Sequence, residues 1–64
     1  MYELVVVDDT GDEVFIEDYR SQREAMNAAD DVLTATVGFR ASIFNSKTSQ
    51  TIANDNDGRG WVRI

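Results

Sequence analysis

Apolar and polar positions divide the chain into short, separable blocks. Tyr2-Glu3-Leu4-Val5-Val6-Val7 is β-branched and nearly continuous in apolar character. It predicts a strand buried in part on both faces. Asp8-Asp9-Thr10-Gly11-Asp12 reads as a turn, and Val14-Phe15-Ile16 opens a second strand that runs to about Tyr19. A three-residue hairpin loop ends in the left-handed conformation, which Gly11 adopts at little cost. With Asp9, Thr10 and Gly11 as that loop, Asp8 lies opposite Asp12, Val6 opposite Val14 and Leu4 opposite Ile16. This register sets four aliphatics on one face.

Ser21-Gln22-Arg23-Glu24 has the form of a capping box, with Ser21 at the N-cap and Glu24 reaching back. Ala25, Ala28, Ala29, Val32, Leu33 and Thr36 follow at helical spacing, and Arg23, Asn27, Asp30, Asp31 and Thr34 fall on the opposite face. Gly38 is a natural C-terminal stop. A third strand is expected over residues 39–44, with Phe39, Ala41 and Ile43 alternating against Arg40, Ser42 and Phe44. Pairing Asn45 with Gln50 brings Ile43 opposite Ile52 and predicts a fourth strand over residues 50–54. Residues 54–60 form a loop by composition. Trp61-Val62-Arg63-Ile64 is expected either to add a short edge strand or to lay Trp61 over the core.

These elements predict one domain over residues 1–64 of the α+β class, in ββαββ order. The sheet is expected to be antiparallel or mixed, of four to five strands, with one helix on one face. The predicted core is Leu4, Val6, Val14, Ile16, Ala25, Ala29, Val32, Leu33, Ala41, Ile43 and Ile52. The other face is expected to show Val5, Val7, Phe15, Tyr19 and Phe44. Either Trp61 and the C-terminal tail cover it, or Val5, Val7, Phe15 and Phe44 form a dimer or partner face.

Composition narrows the chemistry. The 64 residues contain no Cys, His or Pro. Disulfides, Cys- or His-based zinc sites, nucleophilic Cys and Ser–His–Asp triads are therefore excluded. No apolar run approaches the roughly 18 residues of a membrane span, and no signal-peptide pattern opens the chain. A cytoplasmic, non-enzymatic domain without cofactor or metal is expected. Asp55-Asn56-Asp57-Gly58 suggests calcium, but the EF-hand frame puts Ala53 at position one and Ile64 at position twelve. The required bidentate Glu is missing. Gly58-Arg59-Gly60 lacks the spacing and the following helix of a phosphate loop.

Charge is the most informative feature. The net charge is −6. Residues 1–32 carry ten acids against Arg20 and Arg23, whereas residues 33–64 are net positive. This field opposes direct binding of nucleic acid. Three readings fit the acidity. It can be plain solvation, or adaptation to high salt, since the chain has eight Asp to four Glu and five Arg to one Lys. In the third reading it imitates DNA, which carries one negative charge per about 1.7 Å of axis. The candidate contact set is then Asp8, Asp9, Asp12, Glu13, Glu17, Asp18, Asp30 and Asp31, facing a Lys- and Arg-lined groove.

The opening Tyr2-Glu3-Leu4-Val5-Val6-Val7-Asp8-Asp9, the helix entry Tyr19-Arg20-Ser21-Gln22-Arg23-Glu24-Ala25 and the strand–turn–strand–helix–strand order to Phe44 resemble the small acidic inhibitor proteins of phages. Anti-CRISPR proteins and the small phage inhibitor of host RNA polymerase belong to this class. The resemblance implies a basic, nucleic-acid-binding host protein as partner, a CRISPR effector above all, met in the host cytoplasm. It carries over no individual functional residue. Two hairpins around one helix are also similar to the β-grasp fold of immunoglobulin-binding domains. The ubiquitin-like carriers of that fold end in Gly-Gly, whereas this chain ends Trp61-Val62-Arg63-Ile64, so conjugation is not expected.

Overall fold

The computed structural model describes residues 1–36, 38–54 and 60–64. The elements are β1 (Tyr2–Val7), β2 (Glu13–Tyr19), α1 (Gln22–Ala35), β3 (Arg40–Asn45), β4 (Gln50–Asn54) and β5 (Val62–Arg63). They form one antiparallel five-stranded sheet in the order β2-β1-β3-β4-β5. The class is α+β as expected. The element order is ββαβββ, so the four-strand version of the expectation is corrected by a fifth strand, and no pair is parallel. The short C-terminal block does both things considered for it. Val62 and Arg63 pair with Ala53 and Ile52, while Trp61 packs against the core beneath the helix side.

The helix begins where its cap residue dictates. Ser21 has extended backbone, and its Oγ accepts the Glu24 N–H at 3.1 Å, which satisfies one of the orphan donors of the first turn. The helix ends at Ala35, before the expected Thr36. Thr36 turns extended, and its Oγ1 donates to the Val32 carbonyl at 2.7 Å. Gly38 lies beyond that turn with φ +84°. The helix connects β2 to β3 across β1 and packs on all three strands.

The two hairpins differ in how they set register. In the β3–β4 hairpin the Asn45 Oδ1 accepts the Lys47 N–H at 3.0 Å, and the Ser49 N–H donates to the Asn45 carbonyl at 2.7 Å. Asn45 then pairs with Gln50 and Ile43 with Ile52, as the pattern predicts. In the β1–β2 hairpin the expected loop forms. The Gly11 N–H donates to the Asp8 carbonyl at 3.1 Å, the Asp8 N–H donates to the Asp12 carbonyl at 2.9 Å, and Gly11 has φ +93°. Val7 accordingly pairs with Glu13, but Val6 pairs with Phe15. Val14 is thus the extra residue of a β-bulge.

That one residue corrects four placements. Leu4 faces Glu17 rather than Ile16, and Val5 faces Ile16. A one-residue slip exchanges the two faces of a strand. Val14 and Ile16, expected in the core, are 51% and 55% exposed. Phe15 and Tyr19, expected on the open face, pack against the core instead. The dry interior is Leu4, Val6, Ala25, Ala29, Leu33, Ala41 and Ile43. Val32 and Ile52 border it, half-buried.

Candidate functional site: an acidic end and an open sheet face

Strand direction decides where the carboxylates meet. β1 runs towards the Asp8–Asp12 tip, β2 runs away from it, and α1 returns towards it. The tip and the C-terminal end of α1 therefore share one end of the molecule. A Cβ built on Gly38 would lie 3.4 Å from the Asp9 Cβ, which fixes this proximity. Asp8, Asp9, Asp12 and Glu13 stand at that end. Asp30 and Asp31 are exposed on the C-terminal half of α1. No basic residue lies in the last turn of α1, so the negative end of the helix dipole adds to the same field.

The eight candidate acids do not form one row. Glu17 and Asp18 lie at the far end of β2 and on opposite faces of the strand, across from Leu4 and Glu3. Tyr19 follows them. Its hydroxyl pKa is raised, first by burial and then by the charge of Glu17.

Asp8 differs from its neighbours. Its Oδ1 accepts the Thr10 N–H at 2.9 Å, the Asp12 N–H at 3.0 Å and the Thr10 hydroxyl at 2.6 Å. Its carboxyl is held below the ordinary value of 3.8, chiefly by the Thr10 hydroxyl and, against the smaller opposing effect of burial, by the loop amides. Asp8 is thus the internal clasp of the loop, while Asp9, Asp12 and Glu13 are exposed. An Asp that opens a turn, followed two residues later by Thr, is the signal that would have identified it.

A shallow hollow of about 280 Å³ lies between the tip and Gly38, bordered by Val7, Asp8, Asp9 and Arg40. Ligand pockets run from about 300 to 1,000 Å³ and are mostly apolar. Thr10 also lines the hollow, and its hydroxyl donates to the Asp8 Oδ1 at 2.6 Å as part of the loop's internal bonding. Among the described residues, no group of three or more acids is placed to hold a metal ion. The Asp55–Gly58 calcium reading and the Gly58-Arg59-Gly60 segment fall largely outside the described residues. No helix among the described residues is long and apolar enough to cross a membrane.

The second candidate surface is the sheet face away from the helix. Strand alternation puts Val5, Val7, Ile16, Phe44, Ala53 and Val62 there. Phe15 is the one residue of the expected dimer face that is not on it. Trp61 packs against the core on the helix side rather than on this face. Compared with protein-family models, with curated proteins and with solved structures, the chain matches none.

Proposed function

We propose that this chain is a non-enzymatic, phage-type inhibitor that blocks a nucleic-acid-binding host protein by occupying its basic DNA channel. A CRISPR effector is the favoured target and host RNA polymerase the alternative, both in the host cytoplasm. The observation that carries the reading is the gathering of carboxylates at one end. Asp9, Asp12 and Glu13 at the tip and Asp30 and Asp31 on the helix are all exposed. Among the described residues none of them is paired with a cation, and Arg40 is the cation bordering the tip. A solvated surface intersperses its charges, whereas this one concentrates a single sign, as recognition of a basic surface requires.

The mechanism is steric and electrostatic. The acidic end is drawn into a field that evolved to attract phosphates, and the bound domain then excludes DNA. Asp8 contributes by holding the loop rigid, the other acids by direct contact. The test is competition with target DNA for a purified CRISPR effector carrying its guide RNA. Affinity is expected to fall about tenfold or more between low and high salt, and again in the Asp12→Lys/Glu13→Lys variant. Binding insensitive to both changes would overturn the reading.

A further inference from the structure

The two edges of the sheet are built differently. β5 ends one side with two residues, Val62 and Arg63. β2 ends the other with seven, Glu13–Tyr19, and is the longest of the five strands. Sheet edges are normally blunted by shortness, by Pro or Lys, by a bulge or by a covering element. β2 holds no Pro and no Lys. Its bulge lies at the tip end, and from Phe15 to Tyr19 the pairing with β1 is regular. α1 packs on one face of the strand, and among the described residues no element runs along its outer edge.

Hydrogen bonding along β1 fixes which groups of that edge are free. In an antiparallel strand, successive residues direct their N–H and C=O groups to opposite sides. The Asp8 N–H points to the β2 side, at the Asp12 carbonyl, and the Met1 carbonyl accepts from the Ser46 N–H on the β3 side. Alternation from both ends turns Tyr2, Leu4 and Val6 towards β2. Their partners Tyr19, Glu17 and Phe15 turn towards β1. Ile16 and Asp18 therefore present their N–H and C=O groups outwards, unpaired among the described residues. Side chains alternate as well. Ile16, 55% exposed, and Asp18 stand on the open face, and Glu17 stands on the helix face.

We propose that this edge takes up an extended basic segment of a partner protein as a further strand of the sheet. Backbone bonds to Ile16 and Asp18 supply the docking, and the side chains beside them select the guest. Glu17 and Asp18 are consecutive and lie on opposite faces. Lys or Arg at two consecutive guest positions therefore meets one carboxylate on each face. An aliphatic guest residue at the next position covers Ile16. A second copy of β2 is a poor guest, because each strand brings Glu13, Glu17 and Asp18 and no cation. The edge gives a role to Glu17 and Asp18, the two candidate acids that lie away from the acidic end.

The test adds a short, end-capped peptide to the full chain, with a pair of adjacent Arg residues set in a Val- and Thr-rich sequence. Binding should slow hydrogen exchange at the Ile16 and Asp18 amides, while the Phe15, Glu17 and Tyr19 amides, already bonded to β1, change little. The same peptide methylated on its central backbone nitrogens keeps its charge but loses its donors, and should bind at least about tenfold more weakly. Glu17→Lys/Asp18→Lys alters only exposed positions and should weaken binding about tenfold or more, with the circular dichroism of the fold retained. Asp12→Lys/Glu13→Lys changes the net charge equally and should leave peptide binding within a few fold, so the edge and the acidic end succeed or fail separately. A peptide that does not bind, that binds equally well when methylated, or that loses affinity equally in the two variants would overturn the proposal. Protection at the tip amides in place of Ile16 and Asp18 would overturn it as well.

Discussion

The two faces of the sheet are made from the same kinds of residue, and only one of them is dry. On the helix side Leu4 and Val6 are fully buried, and Ala25 and Ala29 let the helix come close enough to exclude water from both. On the open side Val5 and Val7, from the same strand, are only half-buried, and Ile16 and Phe44 beside them are exposed among the described residues. Hydrophobicity therefore does not by itself assign a residue to the core. The assignment comes from α1, which can cover one side only.

The sharpest way to break this comparison is to shorten one side chain on each face. Leu4→Ala leaves a cavity under α1 and should cost about 2–5 kcal/mol. That is as much as the roughly 3–5 kcal/mol such a domain possesses, so the variant is expected to be largely unfolded. Ile16→Thr should shift stability by no more than about 0.5 kcal/mol when measured at protein concentrations too low for association. Urea titrations followed by circular dichroism compare the two. Equal losses at the two positions would mean that the open face is covered within a single chain.

Register explains why the core was only partly legible in the sequence. For β3 and β4 the alternation of Ala41 and Ile43 against Arg40, Ser42 and Phe44 identifies the inner face unaided, and the Asn45 turn confirms it. In β2, Val14, Phe15 and Ile16 are three consecutive apolar residues. Such a run has no period of two, so turn geometry alone had to set the register. It did so correctly as far as Val7 and Glu13, and the bulge then changed the count.

Deletion of Val14 tests that account with a smaller expected effect. If Val14 is the surplus residue, its removal leaves Val7 opposite Glu13 and Val6 opposite Phe15, with every face unchanged. The shortened chain should fold with the same cross-strand contacts and lose about 1 kcal/mol or less. Nuclear Overhauser contacts between Val6 and Phe15 are the readout. If β2 were regular, the deletion would turn Phe15 outwards and expose the core. An unfolded or dye-binding product would therefore reject the bulge.

The acidic end was legible as a charge cluster but not in its internal division of labour, because one carboxylate looks like another in a sequence. Asp8 and Asp9 are neighbours, yet only Asp8 points back over the loop to collect the Thr10 and Asp12 amides. These bonds favour its ionised form, so its folded pKa lies below 3.8. A depressed carboxylate pKa contributes order that is fully present above the unfolded value and is lost as pH falls through the folded one. The Thr10 and Asp12 amide proton shifts should therefore titrate with a midpoint below 3.8, while the sheet amides remain unchanged. Asp8→Ala should abolish that titration and loosen the tip without unfolding the protein. A midpoint at or above 3.8 would mean that the Asp8 carboxylate does not anchor the tip.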